Sequence, residues 1–124
     1  MVLAIGTDIV EIARIVAMLE RQGDKFIQRI LCEPEQQEYH RRKQDAAYVA
    51  KRFAAKEAVA KTLGTGIGRG VSFQDILIVN NDVGAPGVEL SGGALQVMQS
   101  LGGSRILLSL ADEQQYALAY AVLT

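Results

Sequence analysis

Hydrophobic positions follow helical spacing through the first half of the chain. One stripe with i, i+3, i+4, i+7 spacing is formed by Ile12, Ile15, Val16 and Leu19. It predicts an amphipathic helix that ends near Gly23. Two short helices are predicted next, over residues 24–31 and from residue 33 onward, and residues 36–45 indicate a polar helix end and turn. The longest helical pattern, rich in alanine and lysine, covers residues 46–63 and ends at Gly64.

Strand patterns lie at the N-terminus and in the second half of the chain. Residues 2–5 form an apolar run closed by Gly6, which predicts a short buried strand with Thr7 and Asp8 at its junction with the first helix. Further strands are predicted at residues 71–79, 88–90, 105–110 and 116–123. The last two flank a short polar turn, so they should pair as an antiparallel hairpin. A final helix is predicted before residues 102–103.

Helices that cluster early and strands that cluster late predict an α+β fold. We expect a small antiparallel sheet packed against the long central helix, in a single domain that covers residues 1–124.

Composition and charge exclude several classes of protein. The chain is 49% hydrophobic and 22% charged, with a net charge of −1, so no global field attracts nucleic acid. No apolar run approaches the length of a membrane span. The N-terminus has no basic residue before Asp8 and Glu11, which argues against a signal peptide. The single cysteine, Cys32, fits a reducing compartment. We expect a cytoplasmic protein that binds neither nucleic acid nor membrane.

The long predicted helix carries one carboxylate of interest. Glu57 follows Phe53 by four residues and precedes Lys61 by four, so the three side chains stack on one face. Taken alone, a solvent-exposed pair between Glu57 and Lys61 is the simpler interpretation. The alanines around Glu57 would let the helix approach a neighbouring element closely, and the carboxylate would then face a charged group.

Asp8 is the second carboxylate of interest. It could simply cap the helix that follows. It also follows a predicted buried strand, which would hold its side chain rigidly. Magnesium is typically bound by one or two carboxylates, with water and phosphate oxygens in the remaining positions. Asp8 and Glu57 are therefore a candidate Mg²⁺ site if the fold brings them together.

A glycine-rich loop follows the long helix, with Gly64, Gly66, Gly68 and Gly70 at alternate positions. Glycine N–H groups can wrap a phosphate closely. The loop follows a helix instead of preceding one and lacks Gly-Lys-Ser/Thr, so neither the P-loop nor the dinucleotide fingerprint fits. A flexible turn explains the glycines equally well. Lys61 and Arg69 add positive charge on either side, which favours a polyphosphate.

The first helix has a mixed basic and apolar face, here called the α1 face, formed by Arg14, Met18, Arg21 and Gln22. It is either an ordinary solvated face or a docking face for an acidic partner helix. The single histidine, His40, lies in the basic run of residues 40–43. It is more typical of a surface residue than of a catalyst, although the run could bind a phosphate or a partner.

Two segments together resemble the signatures of a known family. Residues 6–12 read Gly-Thr-Asp-Ile-Val-Glu-Ile, and residues 52–58 read Arg-Phe-Ala-Ala-Lys-Glu-Ala, followed by Gly-Thr-Gly-Ile at residues 64–67. Together with Arg14 and Lys61 at the matching positions, these segments are similar to the two signatures of the holo-[acyl-carrier-protein] synthases. Their order, their spacing and the chain length agree as well, so the resemblance spans nearly the whole chain.

This resemblance implies a 4′-phosphopantetheinyl transferase-like fold and a Mg²⁺-dependent reaction. The family moves the 4′-phosphopantetheine arm of coenzyme A onto a serine of apo acyl carrier protein and releases adenosine 3′,5′-bisphosphate. By motif position, Asp8 and Glu57 would be the Mg²⁺ ligands and, with Lys61, the catalytic residues. The residues that would contact coenzyme A are Arg52, Lys61, Gly64, Thr65, Gly66 and Gly68.

The resemblance also implies partners. The α1 face would bind the carrier protein, and the enzyme would be a homotrimer with active sites between subunits. The general base stays open between Asp8, Glu57 and a metal-bound water.

The chain departs from the family pattern in two places. Many members have Ser-x-Ser/Thr-His on the penultimate strand, where residues 109–112 read Ser-Leu-Ala-Asp here, which puts the contribution of that histidine in doubt. Many also have Gly-Lys-Pro where residues 84–86 read Gly-Ala-Pro, so a basic contact is lost or is supplied by Arg69 or residues 40–43. The alternative function is a non-catalytic module that binds coenzyme A or an acidic helix.

Overall fold

Five helices and five strands account for most of the chain, all 124 residues of which are described by the computed structural model. In chain order they are β1 (Ala4–Glu11), α1 (Ile12–Gln22), α2 (Asp24–Ile30), α3 (Glu33–Arg41), α4 (Ala46–Thr62), β2 (Ile76–Asn80), β3 (Pro86–Leu90), α5 (Gly92–Ser100), β4 (Ile106–Asp112) and β5 (Tyr116–Leu123). A 3₁₀ turn, Phe73–Asp75, precedes β2. The predicted α+β class is confirmed. No helix combines the length and the hydrophobicity that crossing a bilayer requires.

The strands form two antiparallel sheets. The larger has the order β1-β5-β4, and the smaller is the hairpin of β2 and β3. The predicted hairpin at the C-terminus is confirmed, with β4 and β5 paired from Ile106↔Leu123 to Asp112↔Ala117. The first and last strands of the chain are therefore neighbours at the centre of the fold.

The extent of β1 differs from the prediction. The strand continues through Gly6 to Glu11 and pairs with β5 along its whole length. Asp8 thus lies inside a strand opposite Ala119, and the N-cap of α1 is Glu11. Gly6 was expected to close the strand, but a continuous ladder of backbone hydrogen bonds outweighs that local signal. The interpretation of Asp8 as a helix cap was wrong.

Helix α4 lies unusually close to the larger sheet because the facing residues are small. Ala54, Ala55 and Ala58 of α4 are fully buried. A Cβ atom on Gly6 would overlap the carbonyl oxygen of Ala58 and would lie 3.0 Å from the Cβ of Lys61. The absence of a side chain at position 6 therefore sets the separation of β1 and α4.

The opposite face of the same sheet is apolar and uncovered in the single chain. Its exposed large apolar side chains come from all three strands and are Ile5, Ile9, Leu107, Tyr116, Leu118 and Tyr120, with the polar Thr7, Glu11 and Ser109 between them. Cross-strand pairing places them together, for example Ile9 opposite Leu118. A contiguous apolar surface of this kind marks an interaction site.

Candidate functional site

The close approach of β1 and α4 brings Asp8, Glu57 and Lys61 together. The Lys61 ammonium lies 3.3 Å from the Asp8 carboxylate and donates a hydrogen bond of 2.7 Å to the carbonyl oxygen of Thr7. Burial raises the pKa of Glu57, and the negative charge of Asp8 raises it further, while Lys61 and Arg14 oppose the shift. Two carboxylates that are 49 positions apart in the sequence thus share one electrostatic environment.

The donor set fits a hard divalent cation. No group of three or more histidine, cysteine or acidic side chains is present that could enclose a metal by itself. Asp8 and Glu57 provide two carboxylates, and their mutual repulsion would be relieved by a cation between them. Magnesium is commonly held by one or two carboxylates together with substrate phosphates and water. These residues suit a Mg²⁺ ion whose coordination shell is completed by a phosphorylated ligand.

A cleft of about 660 Å³ opens beside Glu57. Arg14 and Met18 of the α1 face line it, and Phe53, Ile67 and Gly68 complete much of its wall. Arg21 and Gln22 lie outside the cleft, in the last turn of α1.

Sequence reasoning missed three polar residues of this cleft, which are Arg29, Ser72 and Gln74. Arg29 of α2 lines it, with its guanidinium 5.9 Å from the ring centre of Phe26, and Gln74 lines it from the 3₁₀ turn. The i, i+3 spacing of Phe26 and Arg29 indicates that the two side chains lie on one helix face. No local pattern, however, indicates that α2 packs beside α1.

The glycine loop has a defined conformation that requires glycine. Its four glycines have φ angles of 78°, 63°, 117° and 87°, a region that other residues rarely adopt. The N–H of Gly66 donates to the Ala60 carbonyl, and Gly68 and Val71 exchange two hydrogen bonds. The N–H of Gly64 donates to Lys61.

These hydrogen bonds revise the expected role of the loop. The alternative of a flexible turn was wrong, because the loop is tied to the end of α4. The N–H groups of Gly64, Gly66 and Gly68 already have acceptors within the chain. Because these glycines carry no side chains, a phosphate could approach the backbone of the loop closely.

Arg52 lies on the other side of α4. Five residues separate it from Glu57, which corresponds to about 140° around a helix. Its side chain is 7% exposed and donates a hydrogen bond of 2.7 Å to Asn80. Arg52 and Lys61, both expected to contact coenzyme A phosphates, therefore lie on different sides of α4.

A second cleft surrounds Arg52, here called the Arg52 cleft. It consists of two adjoining parts of about 450 and 210 Å³ that share Arg42, Tyr48, Arg52, Asn80 and Gly84. The guanidinium carbons of Arg42 and Arg52 lie 5.0 and 4.8 Å from the ring centre of Tyr48. The Tyr48 hydroxyl and the Arg52 Nε are buried without a hydrogen-bond partner. Unpartnered buried donors beside two cations favour an anionic ligand.

A buried ion pair between Lys56 and Glu35 connects the elements that form the Arg52 cleft. The ammonium of Lys56, which is fully buried, lies 2.6 Å from Glu35 and also donates to the carbonyl oxygen of Ile30. The other Glu35 oxygen accepts from the N–H of Ile78 and lies 3.8 Å from the Arg52 Nε. The Lys56–Glu35 pair thus joins α3, α4 and β2, although Lys56 is the immediate neighbour of Glu57.

Both departures from the family pattern lie at the Arg52 cleft. Pro86 and Asp112 line its smaller part, and the Asp112 carboxylate lies 3.6 Å from the Lys51 ammonium. Arg42, from the basic run, lines the same cleft, whereas Arg69 does not. Of the two candidates to replace the missing lysine contact, the structure favours the basic run.

Comparison with known proteins is consistent with this geometry. A holo-[acyl-carrier-protein] synthase of Shewanella amazonensis is 61% identical over 122 residues, which are 98% of each chain. A synthase of that name from Neisseria meningitidis superposes with a TM-score of 0.93 at 40% identity, over 100% of this chain and 99% of the other. One from Bacillus anthracis, in complex with coenzyme A (3′,5′-ADP), superposes with a TM-score of 0.82 at 39% identity, over 99% and 96%. Residues 4–121 match the 4′-phosphopantetheinyl transferase superfamily, and the chain belongs to that family.

Proposed function

We propose that the chain transfers the 4′-phosphopantetheine moiety of coenzyme A to a serine of apo acyl carrier protein and releases adenosine 3′,5′-bisphosphate. The observation that carries the proposal is the cluster of Asp8, Glu57 and Lys61 beside a cleft that the α1 face borders. The names of the relatives and the coenzyme A complex of one of them support it.

Asp8 and Glu57 are the residues that would hold Mg²⁺, with the pyrophosphate of coenzyme A completing its coordination. When bound, the metal supplies charge neutralisation, which phosphoryl transfer needs more than covalent help. The Lys61 ammonium is half-exposed beside Asp8 and can turn to donate to a phosphate oxygen. The general base stays open between Asp8, Glu57 and a metal-bound water.

The carrier protein would bind at the α1 face. Arg14 and Met18 line the same cleft as Glu57, so a serine presented there would approach that carboxylate. Arg21 and Gln22 extend the face toward the end of α1. The basic charge of the α1 face suits an acidic helix of the carrier protein. The proposed reaction would belong to cytoplasmic fatty acid biosynthesis.

The assembly would be a homotrimer with its active sites between subunits. Glu57 and Arg52 lie on different faces of α4 and line separate clefts, so a second subunit could place its Arg52 cleft beside the Glu57 cleft of the first. The uncovered apolar face of the larger sheet, where Ile9 is 61% exposed, offers the contact between copies. The glycine loop and Lys61 of one subunit would then bind the pyrophosphate, and the Arg52 cleft of the next would bind the nucleotide end.

Incubation with apo acyl carrier protein, coenzyme A and Mg²⁺ should increase the carrier mass by one phosphopantetheine, as measured by mass spectrometry. A carrier whose acceptor serine is replaced by alanine is the control. Binding of coenzyme A without any gain in carrier mass would instead favour the non-catalytic module.

Replacing Ile9 with glutamate should dissociate the assembly, because it places a charge within the apolar sheet face. Light scattering should give three times the chain mass for the wild type and a single chain mass for the variant. Val83→Glu is the matched control, since Val83 is 87% exposed in a turn outside the sheet. A wild-type protein that is monomeric at all concentrations would contradict the trimer.

A further inference from the structure

The smaller part of the Arg52 cleft contains a charge pair that no step of the proposed reaction uses. Lys51 and Asp112 face each other across its rim at 3.6 Å, with 29% and 40% of their side chains exposed. The two residues come from α4 and from the last position of β4. Their side chains also line the cleft itself, so the pair is part of whatever site the cleft forms.

Each cation of the Arg52 cleft has a different kind of partner. Arg42 is held at 2.7 Å by Glu38, which has a second partner in Arg41. Arg52 donates a hydrogen bond to the neutral amide of Asn80, and its Nε has no hydrogen-bond partner but lies 3.8 Å from the Glu35 carboxylate. Lys51 is neutralised by Asp112 alone, at 3.6 Å. A partly exposed pair of this geometry contributes little stability and opens readily.

The rest of the cleft suits the nucleotide end of coenzyme A. Pro86 and Leu110 add apolar surface for a flat base, and the Tyr48 hydroxyl can donate to an oxygen. A phosphate bound near Arg52 would lie in the same cleft as Asp112. Repulsion between the two partly exposed charges would lower the affinity of the cleft for the phosphate.

We infer that Asp112 attenuates the binding of the ribose 3′-phosphate in the Arg52 cleft by holding Lys51 in an ion pair. This inference rests on the proposed function for the identity of the ligand. In the empty cleft Lys51 contacts Asp112; when the phosphate enters, Lys51 transfers to it and Asp112 is left as an unpaired charge at the rim. The pair therefore lowers affinity for both coenzyme A and adenosine 3′,5′-bisphosphate, and it speeds release of that product.

The test is calorimetric titration of the full-length protein with adenosine 3′,5′-bisphosphate at low ionic strength, without carrier protein. Asp112→Asn should tighten binding about three- to tenfold, as expected for removing one partly solvated like charge. The gain should shrink as salt is added. Adenosine 5′-monophosphate, which lacks the 3′-phosphate, should bind both proteins equally. Lys51→Met should weaken binding of the bisphosphate and leave the monophosphate unchanged.

Glu113→Gln is the matched control, because it removes the same charge from the adjacent turn, outside the cleft. It should leave bisphosphate binding unchanged. Equal or weaker binding by Asp112→Asn would overturn the inference, as would equal tightening by Glu113→Gln or equal tightening toward the monophosphate.

The two proposals fail separately. If the wild type does not modify the carrier but Asp112→Asn still tightens bisphosphate binding, the transferase proposal fails and the role of Asp112 stands. If the wild type modifies the carrier and Asp112→Asn does not tighten binding, only the role of Asp112 fails.

Discussion

Glu57→Gln should lower the rate of carrier modification by at least about 10²-fold, because removing even a hydrogen-bond partner of a metal ligand costs about 10- to 100-fold. It should also raise the thermal midpoint of the metal-free protein. The folded state raises the pKa of Glu57, so at neutral pH its ionisation opposes folding, and a neutral amide of the same shape removes that opposition. Initial rates and calorimetric unfolding at pH 7 in a chelator measure the two effects.

The control for Glu57→Gln is Glu89→Gln, which removes an exposed carboxylate of β3 that lies outside both clefts. It should leave the activity within about twofold, since exposed charges away from special features contribute little. If Glu57→Gln lowered both activity and stability, the carboxylate would have a structural role and the metal site would need another ligand. Retained activity would remove Glu57 from the reaction.

Gly6→Ala should destabilise the protein by about 1–3 kcal/mol or more, the usual cost of adding a methyl group to a closely packed interface. The new Cβ would overlap the Ala58 carbonyl, which belongs to the backbone of α4 and cannot turn away. The helix must therefore shift from β1, and Glu57 must shift from Asp8. We expect weaker Mg²⁺ dependence and lower activity in the molecules that still fold, measured by denaturant unfolding and by rate against Mg²⁺ concentration.

Gly87→Ala provides the comparison, because Gly87 also lies in a strand and its added Cβ would only touch the Val79 side chain at 3.4 Å. That variant should change the unfolding free energy little and leave the Mg²⁺ dependence unchanged. A Gly6→Ala protein with wild-type stability and wild-type Mg²⁺ dependence would show that the strand–helix contact does not set the separation of the carboxylates.

The local features of the site were predictable from the sequence. Spacing alone places Phe53, Glu57 and Lys61 on one helix face, and strand composition predicts the C-terminal hairpin. The same periodicity could have separated Arg52 from Glu57, since five residues turn a helix well away from its starting face. The resemblance does not show this separation, because it assigns Arg52 to coenzyme A and Glu57 to Mg²⁺ without indicating where each lies on the helix.

The non-local features were not predictable from the chain alone. Gly6 indicates the end of a strand by itself, and only the packing of α4 reveals why a side chain is excluded there. Lys51 and Asp112 are 61 positions apart, and their contact depends on the placement of β4 beside α4. The burial of Lys56 depends in the same way on α3 and β2, and nothing in its immediate sequence distinguishes it from the exposed Lys61.

The internal hydrogen bonds of the glycine loop have a consequence for the entropy of binding. Fixing the backbone of one residue costs about 1–2 kcal/mol. In this loop the backbone is already fixed on folding, by the hydrogen bonds from Gly66 to Ala60 and between Gly68 and Val71. A polyphosphate that binds there would not have to order the loop, so its affinity would depend on charge and shape alone.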